Sequence, residues 1–438
     1  MGTQPADTWR SPKGLLALIS LLLCGLLWLN GLAGSLARPS VGDALELRQL
    51  ELAALAEPAL PEPWRAPLLG SDPLGQLRQQ LAAAGAAAET PLPDSQLTTW
   101  GLLEQLLGRP QQARQILAGL PNGVLPPGQQ LSPLQQRLQC ELTGRSRSQC
   151  SQPVVAGAAL RRLLLVTLAP AVLMLLGVLL LLRQLWLWRQ GRLVPVAPLQ
   201  GPQLSLIEVA LVVAGGFVVL GELVAPLLLG PLLSRALAPL AADPPLQQAL
   251  SVLLLYATLM LGPLLILIAF LRQRGPAPRG GWLQWNWLPL RHTIPWAVAQ
   301  LLMVLPLVAL TGWVLQHLWP NPSGSNPLLD MVLTNANPLA LALLASTALV
   351  LAPLFEETLF RGVLLPVLAR HWGQGSAVLA SAAFFALAHL SLGELAPLFV
   401  LGLGLGWLRL QSGRLGASAL LHSLWNGITF ANLLLLAG

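Results

Sequence analysis

Charge is scarce in this chain of 438 residues: Asp, Glu, Lys and Arg together make up only 10% of it, against 54% hydrophobic residues. A soluble domain carries about 25% charged residues, so a soluble enzyme of this size is excluded. Disorder is excluded as well, because the chain is rich in leucine rather than poor in apolar residues. Lysine is nearly absent, with Lys13 alone, so the net charge of +7 rests on arginine. Those arginines sit in short connections between apolar runs, which reads as a topology signal and not as a nucleic-acid patch. Cysteine is limited to three residues and histidine to five. No HExxH occurs, so the standard zinc-protease motif is missing. What remains is a polytopic membrane protein, an all-α bundle.

A spanning helix needs about 20 mostly apolar residues. Nine runs qualify, at about 14–33, 163–182, 204–230, 246–271, 294–317, 338–355, 376–392, 395–410 and 416–437. The first follows Arg10 and Lys13 and has small residues near Ala33, so it is either a signal peptide or a retained anchor; we read it as an anchor. With the N-terminus cytoplasmic, the inner connections hold Arg183, Arg189, Arg192, Arg272, Arg274, Arg279, Arg291, Arg370, Arg409 and Arg414, and the short outer ones only Arg235. That asymmetry is the positive-inside bias. Arg161 and Arg162 dissent, but they close a loop of over 100 residues, and long loops cross largely regardless of charge. Trp186, Trp188, Trp282, Trp285, Trp287 and Trp319 fall at the expected interfaces.

Four regions follow: an anchor over 1–34, an extracytoplasmic helical segment over 35–158, a first part of the bundle over 159–334 and a last part over 335–438. In the outer segment, Asp43 with Glu46, and Ser132 with Pro133 and Gln135, look like helix starts. Apolar residues recur at helical spacing through 44–56, 97–107 and 113–120. The segment has no histidine and no evident chemistry. Cys140 and Cys150, nine residues between them, either close a small disulfide loop on an oxidising face or stay as two thiols.

Ionisable groups in spans cost about 2.5–3.5 kcal/mol each on insertion scales, so each needs a reason. Asp243, Asp330 and Glu394 fall in loops or turns and are most simply solvated. Glu208 and Glu222, fourteen residues apart, lie within about 40° of one helix face; they are either bundle-facing acids bonded to hydroxyls or arginine, or the lining of a polar path. Phe355-Glu356-Glu357-Thr358-Leu359-Phe360-Arg361 differs. Glu357 and Arg361 are i,i+4 partners, while Glu356 points about 100° away. It is then either part of an ordinary ion cluster or a carboxylate placed for general acid–base work. Two later spans each carry a histidine, in Phe385-xxx-His389 and His422-xxx-Asn426, the second pair on one helix face. Glu356, His389 and His422 are zinc-ligand types with room for a water. Without a metal, Glu356 and His389 activate water while His422 and Asn426 donate to an oxyanion. His292, His317 and His371 read as interface residues.

These motifs resemble those of the CPBP family, also called the Abi or CAAX-protease family: EExxxR is met by Glu356, Glu357 and Arg361, FxxxH by Phe385 and His389, and HxxxN by His422 and Asn426. The resemblance covers about residues 335–435. It implies an intramembrane endopeptidase, described in the family both as a metalloprotease and as glutamate-dependent, acting on a membrane-anchored or lipidated protein or peptide. Carried over, Glu356 is the catalytic carboxylate, His389 its partner, and His422 and Asn426 the oxyanion site; Glu357, Arg361 and Phe385 support them. The cofactor is either none or a divalent zinc held by Glu356, His389 and His422; the partners are substrate and lipid, with no nucleic acid. A bacterial plasma membrane, or an organellar one, suits the added N-terminal spans, with bacteriocin processing or immunity beside CAAX-type processing as roles. A non-proteolytic scaffold and a transporter using Glu208 and Glu222 are the competing classes. One mismatch stands out. At 1.5 Å per residue, Glu356 lies about 21 Å from Arg370, but His422 only about 10 Å beyond Arg414.

Overall fold

The computed structural model describes residues 8–38, 41–87, 92–121, 125, 127, 130–192, 196, 199–319 and 326–437. Among them every regular element is helical and none is a strand. Eight helices are long and apolar enough to cross a membrane: Pro12–Ser35, Pro153–Arg189, Leu206–Ala236, Pro244–Arg272, Leu290–Leu318, Pro338–Trp372, Leu392–Ser412 and Leu415–Ala437. The chain is therefore an integral multi-pass membrane protein. Leucines such as Leu15, Leu22, Leu175 and Leu265 stay exposed on these helices, as a surface solvated by lipid requires.

The seventh expected span, 376–392, is a short one: the 14-residue helix Gln374–Leu387, which carries the chain from the Arg370 end of the bundle to the turn beside Ser35. At 1.5 Å per residue it covers about 21 Å, short of a hydrocarbon core about 30 Å thick. It stops because the chain turns within the apolar run. Leu390 takes φ 50°, and Ser391 then caps Leu392–Ser412 by accepting from the Glu394 amide. Hydropathy cannot distinguish a full-length span from a short helix wrapped by its neighbours, and here Ala377, Ala382, Phe385 and Ala386 are all buried.

The chain divides into two compact units, one of residues 1–40 with 172–434, the other of residues 41–171 with 435–438; the boundary falls inside Pro153–Arg189. The second unit is built of short helices around Leu77, Leu81, Leu102 and Leu138. Ser132 and Gln135 form the expected capping box at Pro133–Leu142, and Asp43 lies in the first turn of Val41–Ala56. Cys140 and Cys150 are joined in a disulfide, with Cα atoms 5.6 Å apart.

In the first unit, one end of the bundle is tied by cations. Arg370 donates to the carbonyls of Pro202 and Leu204 (2.8 and 3.0 Å), Arg409 to Gln200 (2.9 Å), and Arg414 to Asn286 and Leu288 (both 2.8 Å). Glu208, at the same end, accepts from Lys13 Nζ at 3.0 Å and from Arg274. The bland reading of Glu208, a bonded acid, is what the structure contains, with cations and the Ser205 amide as its donors in place of a hydroxyl. The segment before Leu290 also covers the start of the last helix: the amides of Leu415 and Gly416 donate to Gln284 and Trp285 carbonyls (2.9 and 2.8 Å). Only glycine fits at 416, where a Cβ would lie 2.8 Å from the Trp285 carbonyl oxygen.

This roof removes the depth mismatch. A Cβ on Gly362 would lie 3.1 Å from Leu415 Cδ2, so the last helix starts level with Gly362 and not with Arg370. From Gly362 to Glu356 is then about 9 Å and from Leu415 to His422 about 10 Å.

Candidate active site

Glu356 is the penultimate residue of the six-residue α-helical stretch Ala352–Glu357, which lies between two wider π-helical stretches of the same long helix, Thr347–Leu351 and Thr358–Leu364. Such π turns in α-helices often mark functional positions. The turn that ends Gln374–Leu387 presents His389, and the last helix presents His422.

Glu356 and Glu357, adjacent in sequence, face different partners. Glu357 and Arg361 are both fully buried, and Arg361 Nη1 donates to Glu357 Oε1 at 2.8 Å. Arg361 Nη2 donates to the Gly402 carbonyl at 3.0 Å. The guanidinium also lies over the Phe385 ring, 4.4 Å from its centroid. Glu356 does not share this arginine. Its Oε1 accepts from the Tyr256 hydroxyl at 3.0 Å. Its Oε2 is buried without a hydrogen-bond partner among the described residues and stands 4.0 Å from both His389 Nε2 and His422 Nε2.

The far nitrogens fix the rings. His389 Nδ1 is 2.8 Å from the Phe385 carbonyl oxygen, and His422 Nδ1 is 3.1 Å from Glu357 Oε1. A carbonyl and a carboxylate only accept, so Nδ1 carries a proton in each ring, and a neutral ring in that tautomer would turn a lone pair at Nε2 towards Glu356. Phe385 packs edge-on against both imidazoles, with centroids 4.8 and 5.5 Å away. Three acceptors thus point at one region, and a water there can donate to two of them.

Asn426 is nearby but partly engaged: its Nδ2 donates to the Ala348 carbonyl at 2.7 Å. Glu356, His389, His422 and Asn426 line a single cavity of about 600 Å³. Glu222 and Glu394 line it too. Glu394 is therefore not the solvated turn residue expected, since the turn folds back and places it in the first turn of a helix facing the cavity, where it accepts from the Asn326 amide at 3.2 Å. Asp243 is also engaged, accepting from Asn337 Nδ2 at 2.7 Å.

Carboxylate and imidazole donors suit zinc, whose bonds of about 2.0–2.1 Å set neighbouring tetrahedral ligands about 3.4 Å apart. The 4.0 Å separations are wider. No three His, Cys, Asp or Glu side chains among the described residues are placed to hold an ion. As spaced, the trio does not fit zinc.

Tyr256 had no motif to announce it. It lies on Pro244–Arg272, one hundred residues from Glu356. The available signal was a phenol inside a span, the only tyrosine in the chain.

Residues 338–428 match the family model described as Type II CAAX prenyl endopeptidase Rce1-like. Residues 42–161 match a second model, described as a domain of unknown function (DUF8675). No curated protein and no solved structure matches the chain. The helices that bring Glu356 to His389 and His422 thus form an Rce1-like domain of the CAAX-type intramembrane protease family, carried on a polytopic membrane protein.

Proposed function

We propose that residues 335–438 are the catalytic part of an intramembrane endopeptidase in which Glu356 activates water against a peptide bond of a membrane-associated protein. The observation that carries this reading is the unpartnered Oε2 of Glu356, buried 4.0 Å from two imidazole Nε2 atoms. A water held there donates to two of these acceptors and keeps a lone pair for the substrate. As its oxygen adds to the carbonyl carbon, one proton passes to Glu356. The same proton then goes to the amide nitrogen as the C–N bond breaks. Asn426, with one N–H on Ala348, offers the other to the developing oxyanion. Glu357, Arg361 and Phe385 hold His422 and His389 in place.

For topology, the N-terminus is cytoplasmic and residues 35–158 are extracytoplasmic. Support comes from the arginine bias of the connections and from a disulfide within the outer segment, which an oxidising compartment maintains.

The test is cleavage by purified wild type and Glu356→Ala in liposomes, offered a mixed pool of membrane peptides and a prenylated CAAX reporter, with and without a chelator. New peptide ends from the wild type alone are expected, unaffected by the chelator. Equal cleavage by the variant would remove Glu356 from the centre of the reaction, and loss of wild-type cleavage with chelator would assign the water to a metal. No cleavage by either folded protein would favour a scaffold.

A further inference from the structure

The cavity sits towards one end of the bundle. Its lining includes Asn326 and Pro327 at the start of the short helix Pro327–Thr334, Glu394 in the first turn of Leu392–Ser412, and Leu433 near the end of Leu415–Ala437. On Pro244–Arg272 it takes Val252, Tyr256 and Leu259, none of them from the last three turns before Arg272. The three long helices among these have their cationic ends at the other extremity: Arg409 at the end of Leu392–Ser412, Arg414 just before the last helix, and Arg272 and Arg274 at the end of Pro244–Arg272.

The cavity is closed towards that cationic end. Phe360, Phe385 and Leu401 form its floor and are essentially inaccessible. Beyond them lie the buried Arg361–Glu357 pair and the wholly buried Val363, Leu365 and Val367. No residue of 199–205 or 273–289, the segments that roof the cationic end, lines the cavity. At the open side, Asn326 and Pro327 are exposed. The first helix also ends on this side, where Ser35 accepts from the Leu392 amide and Arg38 donates to the Leu390 carbonyl.

Clustered arginines mark the cytoplasmic side of a membrane protein. Lys13, Arg274, Arg370, Arg409 and Arg414 all bond at the closed end. We propose that the cavity is reached from the extracytoplasmic face, so that its substrate is a membrane-anchored polypeptide with the scissile bond on that side, and not a prenylated protein arriving from the cytosol. The inference rests on the endopeptidase reading and its topology. Charge in the cavity points the same way. Its acidic and imidazole lining residues are Glu222, Glu356, Glu394, His389 and His422, with no Lys or Arg among the described ones. The terminal carboxylate of a short C-terminal tripeptide would find no permanent cation there, whereas an uncharged or basic internal stretch meets no such cost.

The test is labelling of the full chain in right-side-out and inverted membrane vesicles with a membrane-impermeant maleimide. Met331→Cys probes the cavity mouth and Gln273→Cys the opposite end. The wild type serves as blank, since Cys24 is buried and the other two cysteines are bridged. Met331→Cys should label in right-side-out vesicles and Gln273→Cys only in inverted ones. Labelling of Met331→Cys from the cytoplasmic face, or from neither face, would overturn the proposal. The same vesicles carrying two single-span reporters, with one peptide sequence on opposite faces, separate this from failure of the protease reading. Cleavage of the cytoplasmic reporter alone sinks the sidedness and keeps the protease. No cleavage with the expected labelling sinks the protease and keeps the sidedness.

Discussion

Glu208 and Glu356 are both carboxylates carried into the bundle on apolar helices, and their surroundings differ at each oxygen. Glu208 Oε1 accepts from Lys13 at 3.0 Å, and its Oε2 accepts from the Ser205 amide at 2.9 Å and from Arg274. It caps its own helix start and joins three segments through two cations. Glu356 has one neutral donor, the Tyr256 hydroxyl, and turns its other oxygen towards two imidazole lone pairs. Burying an acid is costly either way. At Glu208 the cost is offset by paired charge, which is how a structural acid survives in a membrane protein. At Glu356 it is left partly standing, and unmet hydrogen-bonding capacity next to titratable groups is what a reacting centre requires. Glu357 lies between the two cases: its Oε1 serves Arg361 and His422, while its Oε2 is buried without a hydrogen-bond partner among the described residues.

This contrast can be sharpened first at the cations. Arg361→Met strips a fully buried pair and leaves Glu357 charged, which should cost about 3–5 kcal/mol. Arg274→Met, at a side chain 26% exposed whose acid keeps Lys13, should cost about half of that or less. Thermal unfolding of the two variants in one detergent measures the ratio; equal losses would mean that the Glu357–Arg361 pair is no more desolvated than the Glu208 cluster. Next is the neutral donor. A hydrogen bond to a charged group is worth about 1.5–3 kcal/mol, so Tyr256→Phe should lower kcat by about ten- to hundredfold. KM should change little, because the hydroxyl orients Glu356 and does not touch the substrate. Single-turnover cleavage over a pH series checks it, and a variant as fast as wild type would make Tyr256 a packing residue. The smallest effect on cleavage is expected from Cys140→Ser. Opening this short loop should cost the unit of residues 41–171 about 2–3 kcal/mol and leave turnover unchanged. Unfolding and cleavage of the same preparation test both halves of that expectation.

Much of the site was legible because its residues recur at helical intervals. Glu357 with Arg361, Phe385 with His389, and His422 with Asn426 are i,i+4 pairs, and such pairs share a face in any helix. The separation of Glu356 from that arginine followed from the 100° step alone. What could not be read depends on how distant segments meet. Tyr256 reaches Glu356 from another helix, and Glu394 enters the cavity because the chain turns at Leu390 inside an apolar run. The same turn shortens the seventh expected span to Gln374–Leu387. The depth of His422 was misjudged because Arg414 resembles an interface residue. In the fold it bonds Asn286 and Leu288 carbonyls, in the segment that covers the recessed start of the last helix.

The central claim, that Glu356 serves the reaction and Glu208 the fold, is tested most directly by Glu356→Gln and Glu208→Gln measured side by side in liposomes, each for initial cleavage rate and for thermal midpoint. Glu356→Gln should lose cleavage by at least about a hundredfold with its midpoint kept. Glu208→Gln should keep its rate and lose about 2–3 kcal/mol of stability, below the full cost of a buried pair because Lys13 and Arg274 are 32% and 26% exposed. A Glu356→Gln variant that cleaves normally, or one that simply unfolds while Glu208→Gln abolishes cleavage, would contradict the account.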